Sequence, residues 1–181
     1  MTSWIETRQN ATEKSNLVTF FDKYIPACLE NIRTRFKKIT GIVEIAHIQM
    51  LCFLLDCLLI PQNYVPEGPK EILETYFVFA CIWAFGAAMF QDQAVDYRVE
   101  FSKWWVNEFK SIKFPAQGTV FDYYIDAETK QFTLWTERVP KFELDSDIPL
   151  QVIFTKIYFA PINRISLKKK LFFSGRVGAH I

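Results

Sequence analysis

The chain opens with a polar segment, residues 1–15, whose lack of apolar periodicity predicts a loop. From Asn16 onward, apolar residues recur every three or four positions, which is the period of a helix with one buried face, and Ser15 or Asn16 suits its N-cap. Pro26 interrupts this stretch. Because proline is tolerated in a first helical turn, we predict that it opens a second helix. The apolar positions of this stretch are Leu17, Phe20, Phe21, Tyr24, Ile25, Cys28, Leu29, Ile32 and Phe36.

A third helix is predicted over residues 42–60, where a broad apolar face is opposed by a polar edge that includes His47. Asp56 interrupts the apolar run. The stretch 61–70 contains three prolines and a glycine, so it predicts a loop. Pro69 then suits the first turn of a fourth helix.

The fourth helix contains "YFVFACIWAFGAAMF", residues 76–90, fifteen positions without a charge. A bilayer span needs roughly 20 apolar residues. The other apolar run, residues 48–60, holds Asp56, which is costly in lipid. Both runs are typical of buried helices, and a membrane-associated protein remains a remote alternative. We therefore expect 76–90 to be the central helix of a bundle, with Gly86 and its neighbouring alanines allowing close approach of a crossing helix.

A fifth amphipathic helix is predicted over residues 94–112, with Asp92 as its cap and aromatic residues along one side. After Pro115 the period changes from helix to strand. The segments "TVFDYYID" and "QFTLWTERV" are rich in β-branched and aromatic residues and are separated by the turn-like "AETK". They predict a β-hairpin, followed by an extended connector.

The fold class that follows is mainly α, a four- to five-helix bundle followed by a β-hairpin and an irregular basic tail. The four parts are the polar N-terminal segment 1–15, the helical region 16–114, the hairpin and connector 115–151, and the tail 152–181.

Charge supports the last of these boundaries. The chain has 21 basic and 20 acidic residues and a net charge of +1, which gives no argument for a nucleic-acid partner. The tail 152–181 holds six basic residues and no acidic one, whereas the preceding residues carry a net charge of −5. The lysine run 168–170 is too short to identify a partner, and we interpret it as part of a solvated tail.

No catalytic, cofactor-binding or metal-binding residue is assigned. The chain has no phosphate-binding loop of the G-x-x-x-x-G-K-[ST] type and no G-x-S-x-G elbow. Asp122 and Asp126 are interpreted as solvated strand or turn residues, and His47 as structural. The four cysteines lie among apolar residues and form no C-x-x-C pair, so we expect buried thiols in a reducing compartment. They are Cys28, Cys52, Cys57 and Cys81.

Three segments resemble the axonemal dynein heavy chains, with the outer-arm β-type chains as the closest likeness. They are residues 21–39, 76–115 and 118–151, which include "WAFGAAMFQDQ", "FSKWW" and "FDYYID". Their order and spacing resemble the stretch between the second and third AAA+ modules of that family. The likeness covers about residues 3–151. After "DIPLQ" the sequence departs from the family, and we expect 152–181 to be an unrelated tail.

The resemblance implies that the helices are the lid and extension of the second AAA+ module and that the hairpin is the start of the third. The family is an ATP-driven, minus-end-directed microtubule motor of the ciliary or flagellar axoneme, a cytoskeletal structure. Its ATP and magnesium bind at seams between modules, and a lid transmits closure of one site to the next. No nucleotide contact is assigned to Arg33, Arg35 or any other position.

By the same resemblance, the partners are neighbouring AAA+ modules, other dynein chains, and microtubules through the full-length motor only. We expect neither nucleic acid nor membrane as a partner. The chain then represents a fragment that is not itself an enzyme, located in the axoneme, or in the cytoplasm if it exists as a short chain. The alternative is a free-standing helical module that binds a partner protein through exposed aromatic residues.

Overall fold

The computed structural model describes residues 2–138, so the predicted connector beyond Arg138 and the tail 152–181 lie outside the described residues. Within this part, helices come first and a two-stranded sheet follows. The elements are α1 (Thr2–Glu6), α2 (Ala11–Thr34), α3 (Glu44–Leu58), α4 (Lys70–Gly86), α5 (Tyr97–Glu108), β1 (Tyr123–Ile125), β2 (Phe132–Leu134) and α6 (Trp135–Arg138). The predicted mainly helical fold with a hairpin is confirmed.

The N-terminal region differs from the prediction. The loop expected over residues 1–15 is wrong, because α1 lies within it and α2 already begins at Ala11. The N-cap of α2 is Asn10, whose side chain accepts a 3.0 Å hydrogen bond from the backbone N–H of Glu13.

Pro26 does not open a second helix, because it lies inside α2, which is 24 residues long and continues to Thr34. An internal proline removes one backbone hydrogen bond and costs about 3 kcal/mol. Pro26 itself faces solvent, whereas Tyr24, Ile25 and Cys28 beside it are buried. Burial of this apolar stripe offsets the cost of the proline. The proline signal in the sequence carries no information on the size of that burial.

The buried helix predicted for residues 76–90 is confirmed as far as Gly86, since most side chains of α4 from Leu73 to Gly86 are buried. Residues 87–90 lie beyond the end of the helix, and Phe90 is 39% exposed. Pro69 lies at the N-cap position, one residue before the helix rather than within its first turn. None of the helices in residues 2–138 combines the length and the apolar character that a bilayer crossing requires.

Aromatic packing joins α4 to two other helices. The ring of Phe77 in α4 contacts Phe20, Phe21 and Tyr24 of α2, with centroids 5.5, 5.2 and 5.8 Å away. Tyr24 in turn stacks on Trp105 of α5 with centroids 5.9 Å apart and planes 3° from parallel. Such pairs contribute about 0.5–1.5 kcal/mol each beyond their buried area. The core is therefore one aromatic layer shared by α2, α4 and α5.

The link between α4 and α5 also differs from the prediction. Asp92 is not the cap of α5. Its carboxylate instead closes a tight turn by accepting hydrogen bonds from the N–H groups of Ala94 and Val95 at 2.9 and 2.7 Å. The N-cap of α5 is Asp96, which accepts from the first-turn N–H of Arg98 at 2.9 Å. Both aspartates suit an N-cap position by residue type. Because Asp92 is used to close the turn, Asp96 is the residue that caps α5.

The hairpin is confirmed, with β1 and β2 antiparallel and Tyr123 opposite Leu134. Asp126 closes the predicted turn by accepting hydrogen bonds from the N–H groups of Glu128 and Thr129. The second strand is shorter than expected, because residues 135–138 form the helical turn α6 instead of continuing the strand.

Candidate functional site: the contact between the helices and the hairpin

Gly86, the last residue of α4, lies directly against two aromatic rings. A Cβ atom on Gly86 would lie 2.5 Å from Cζ of Phe121 and 2.9 Å from Cε1 of Phe101. The ring of Phe121 also meets the ring of Trp83 edge-on, with centroids 5.7 Å apart. A side chain at Gly86 would therefore force the rings of Phe121 and Phe101 to move away from the end of α4. The sequence predicts that a crossing helix approaches here; Phe101 of α5 does so, but the nearest ring, Phe121, belongs to the segment before the hairpin.

A buried hydrogen bond fixes the same segment to α5. The backbone N–H of Val120 donates to Oγ of Ser102 at 3.0 Å, and both residues are buried. Two positions later, the carboxylate of Asp122 accepts from the N–H and the hydroxyl of Thr119, at 2.7 and 2.8 Å. These bonds satisfy backbone groups that would be costly to bury unpaired. They hold the chain in a fixed path as it enters β1.

The hairpin itself packs on the helices through aromatic rings. Phe132 of β2 lies 4.3 Å from Phe114 and 6.4 Å from Phe79 of α4, measured between ring centroids. The hydroxyl of Tyr123 in β1 donates to the carbonyl oxygen of Pro115 at 3.1 Å. The hairpin is thus attached to α4 and α5 in three ways: by the close packing at Gly86, by the buried hydrogen bond of Ser102 and by the aromatic contacts of Phe132.

Four polar groups link α2, α4 and the segment after α5. The hydroxyl of Tyr24 donates to Glu74 Oε1 at 2.6 Å, and the Lys23 ammonium donates to the same oxygen at 2.7 Å. Oγ of Ser111 lies 2.9 Å from both Tyr24 Oη and Lys23 Nζ. Burial acts to raise the pKa of Glu74, but the bonds from Lys23 and Tyr24 outweigh it, and the net pKa is lowered. We call these four residues the polar clasp.

His47 ties α3 to the last turn of α4. Its side chain is buried at 2% exposure rather than lying on the polar edge that the sequence predicts. Nδ1 donates to the carbonyl oxygen of Ala84 at 2.8 Å, and Nε2 has no hydrogen-bond partner within the described part of the chain. Burial lowers the pKa of the imidazole, Lys38 lowers it further, and the Ala84 bond and Glu44 act in the opposite direction. These contacts place His47 in the packing between α3 and α4.

Asp56, whose charge interrupts the apolar run of α3, anchors the N-terminal segment. Its Oδ1 accepts a 3.1 Å hydrogen bond from Nε1 of Trp4 and lies 3.7 Å from the guanidinium of Arg8. Arg8 also donates through Nε to Glu13 at 2.7 Å, where the carboxylate is buried. The polar network thus joins α1, α2 and α3.

The remaining sequence-predicted residues serve structural roles. Asp122 and Asp126 hold loops as described above, and backbone N–H groups of Thr129 and Glu128 lower the pKa of Asp126. Cys28 and Cys81 are buried, and burial raises the pKa of both thiols, while Cys52 and Cys57 are half-buried. Over residues 2–138, no group of three or more His, Cys, Asp and Glu side chains is placed to hold a metal ion.

Sequence reasoning did not identify Ser102 or the polar clasp. Ser102 stands on the aromatic side of α5 between Phe101 and Trp104. A serine among buried aromatic residues is a usable signal that its hydroxyl meets a backbone group. Glu74, beside the apolar run of α4, is a similar signal, although its partners on α2 cannot be found from spacing alone.

Residues 17–137 match the family model described as the dynein heavy chain AAA lid domain. Dynein axonemal heavy chain 17 of Mus musculus is 63% identical over 151 residues, covering 83% of this chain. The ciliary dynein beta chain of Heliocidaris crassispina is 62% identical over 84% of this chain, and the flagellar outer-arm dynein beta chain of Chlamydomonas reinhardtii 40% over 78%.

The chain spans about 3% of the length of each of these relatives. The family match includes the helices from Leu17 onward, the hairpin and most of α6. The contact between helices and hairpin therefore lies wholly inside the matched domain. The chain belongs to the axonemal dynein heavy chains, and residues 17–137 are its AAA lid domain.

Proposed function

We propose that the helices and the hairpin form a mechanical coupling element of an ATP-driven, minus-end-directed microtubule motor in the axoneme. The observation that carries this proposal is the attachment of the hairpin to α4 and α5 at Gly86, Ser102 and Phe132. If the helices are the lid of the second AAA+ module and the hairpin is the start of the third, a rotation of the lid carries the next module with it.

Rigidity of the helices supports the same role. A lever transmits a displacement only if its parts do not move separately. The shared aromatic layer around Phe77 and the polar clasp join α2 and α4, and the stacking of Tyr24 on Trp105 extends the same body to α5. Closely packed helices of this kind shift as units and do not deform continuously.

The proposal assigns no chemical step to residues 2–138. ATP and magnesium would bind at seams between modules of the full-length heavy chain, and microtubules would be contacted by the complete motor. The direct partners of the lid would be the neighbouring AAA+ modules, with other dynein chains as partners of the assembled motor.

The test compares full-length heavy chains carrying Gly86→Ala, Ser102→Ala or the control Gly41→Ala, where an added Cβ meets no atom within 4 Å. We expect Gly86→Ala and Ser102→Ala to slow microtubule gliding more than they reduce basal ATP hydrolysis, because coupling is lost before nucleotide binding. Gly41→Ala should leave both unchanged. Normal gliding by folded Gly86→Ala and Ser102→Ala motors would refute the coupling role.

A further inference from the structure

A small ribbon lies beside the ends of α2 and α4. Three backbone segments run side by side in antiparallel order, namely residues 37–39, 88–91 and 95–97. Phe90 is in the middle segment. Its N–H donates to the carbonyl oxygen of Lys37 at 2.9 Å, and its own carbonyl accepts from the N–H of Tyr97 at 3.1 Å. Both backbone polar groups of Phe90 are therefore engaged, and its position is fixed.

The two faces of the ribbon differ in burial. Met89 points into the core and is buried, so Phe90, its neighbour, points the other way. Residues opposite each other in an antiparallel pair share a face, which places Lys37 and Tyr97 beside Phe90. The ammonium of Lys37 lies 5.7 Å from the centre of the Tyr97 ring, as this arrangement requires. Ile39, two residues after Lys37, shares the face.

We call Lys37, Ile39, Phe90 and Tyr97 the ribbon face. Ile39 is 63% exposed and Phe90 39% exposed, although the backbone beneath them is held by hydrogen bonds. Large apolar side chains on a fixed backbone cannot turn inward to escape water. A rigid cluster of this kind is typical of a contact surface.

Around the ribbon face, the acidic and basic side chains differ in how far they are already bonded within the chain. The carboxylates of Asp92 and Asp96 accept hydrogen bonds from backbone N–H groups, and Lys37 lies 3.8 Å from Asp92 with most of its side chain exposed. Arg35 lies over the ring of Phe36 and lines a groove of about 490 Å³ that Tyr97 also borders. Glu100 also lines this groove and is paired with Lys103 at 2.9 Å. The nearby carboxylates are thus engaged by backbone N–H groups or by a lysine, whereas Arg35 and most of the Lys37 side chain remain exposed. A negatively charged partner fits this distribution.

We propose that the ribbon face binds an acidic segment with an apolar centre, supplied by another AAA module of the same heavy chain. The apolar centre would cover Ile39 and Phe90, and its carboxylates would meet Lys37 and Arg35. This inference rests on the proposed function, in which the lid contacts neighbouring modules. The aligned segment is 3% of the relatives' length, so the same polypeptide carries many candidate segments at high effective concentration.

Zero-length crosslinking of the native full-length heavy chain from cilia tests this pairing. A carbodiimide converts a carboxylate to an O-acylisourea, a lysine amine attacks its acyl carbon and releases a urea, and the amide forms only where amine and carboxylate touch. We expect Lys37 to be joined to an aspartate or glutamate of a distant, apolar-centred acidic segment. The Lys23–Glu74 pair, 2.7 Å apart, provides an internal positive control.

The outcomes separate this inference from the proposed function. If Lys37 links to Asp92 alone or to nothing while the Lys23–Glu74 link forms, the ribbon-face proposal is wrong. If other lysines of residues 2–138 are nevertheless joined to distant modules, the coupling role is supported and only the ribbon-face contact is rejected. If the Lys23–Glu74 link forms and none of these lysines reaches another module, both proposals fail.

The apolar contribution is tested with Phe90→Ser against Phe53→Ser, a phenylalanine of α3 with a similar exposure of 44%. We expect Phe90→Ser to lower the yield of the Lys37 crosslink about fivefold, the loss typical of a contact residue at an interface. Phe53→Ser should leave it unchanged. Ile39→Ser serves as a second variant should Phe90→Ser fail to fold, and equal yields in all proteins would overturn the proposal.

Discussion

The imidazole of His47 lies face to face on the ring of Phe85, with centroids 5.4 Å apart and planes 12° from parallel. The adjacent carbonyl of Ala84 accepts the Nδ1 proton of the same ring. One side chain of α3 therefore contacts two consecutive residues in the last turn of α4. In the same turn the carbonyls of Trp83 and Gly86 accept from the N–H groups of Ala87 and Met89, and His47 supplies a donor for Ala84, as a capping side chain does.

Acidification should weaken this contact. Burial lowers the pKa of His47 in the folded protein below its ordinary value near 6.5, so the unfolded chain binds the proton more readily. The stability that His47 contributes is present above pH 6.5 and is lost as the pH falls through the folded pKa. We expect His47→Asn, which keeps a donor, to lose less unfolding free energy between pH 7 and pH 5 than the parent chain.

Urea unfolding at both pH values measures the difference. His180 lies outside the described residues but is present in both proteins, so its titration cancels in the comparison. Glu44 and Lys38, the charged groups that act on His47, are likewise unchanged. If the unfolding free energies of parent and variant depend on pH in the same way, protonation of His47 does not contribute to the pH dependence of stability.

Gly86→Ala should destabilise the chain. The new Cβ would clash with Phe121 and Phe101, and overpacking of a core costs about 1–3 kcal/mol. The gain in helix propensity is at most about 1 kcal/mol, and Gly86 is the final residue of α4, where that gain is smaller. We expect a net loss of about 1–2 kcal/mol in urea unfolding of the 181-residue chain.

Gly41→Ala is the matched control, since nothing lies within 4 Å of the added Cβ. Its effect should stay within about 0.5 kcal/mol of zero or be slightly stabilising. If the two alanine variants have the same unfolding free energy, the close approach at Gly86 does not contribute to stability.

Tyr24→Phe should weaken the polar clasp while keeping the aromatic layer. The variant retains the ring that stacks on Trp105 but loses the hydroxyl that donates to Glu74. Hydrogen bonds to charged groups contribute about 1.5–3 kcal/mol, and Lys23 still neutralises Glu74, so we expect a loss of about 1–2 kcal/mol. Tyr97→Phe, a half-buried tyrosine outside the clasp, should change the unfolding free energy by less than about 0.5 kcal/mol. Equal losses would contradict the clasp.

The elements that the sequence predicts correctly depend on local pattern. A charge-free run bounded by polar residues identifies the buried α4, and two β-rich segments around "AETK" identify the hairpin. The errors arise where a distant contact outweighs the local signal. Pro26 lies within α2 because its neighbours are buried in the core. Helix α1 forms within a largely polar segment because Trp4 and Ile5 pack on that core.

The site was predictable in part for the same reason. Gly86 stands out in sequence because a glycine among bulky apolar residues permits close approach, and the structure shows what approaches it. The bond between Ser102 and Val120 joins residues 18 positions apart, and Tyr24 lies 50 positions from Glu74. Helical period and turn signals carry no information on which of the many polar residues meet at such separations.

The buried ion pair of Arg8 and Glu13 should be sensitive to loss of either partner. The Glu13 carboxylate is 3% exposed and lies 2.7 Å from Nε of Arg8, whose side chain is 19% exposed. Removing one partner of a fully buried pair costs about 3–5 kcal/mol, and the partial exposure of Arg8 reduces this. We expect Arg8→Ala to lower the unfolding free energy by about 2–3 kcal/mol. Glu30→Ala removes an exposed charge of α2 instead, and as the control it should cost less than about 0.5 kcal/mol.

Hydrogen exchange locates the effect. Because Arg8 joins α1 and α2 to Asp56 of α3, its loss should speed amide exchange in residues 4–8 before the rest of the domain opens. Arg8→Ala should act more strongly than Asp56→Ala. Loss of Arg8 leaves two carboxylates without their cation: Asp56 is half exposed and can be solvated by water, whereas Glu13 is buried and cannot. The reverse order would mean that the N-terminal segment is held through Trp4 and Asp56, and that the buried carboxylate of Glu13 is satisfied without Arg8.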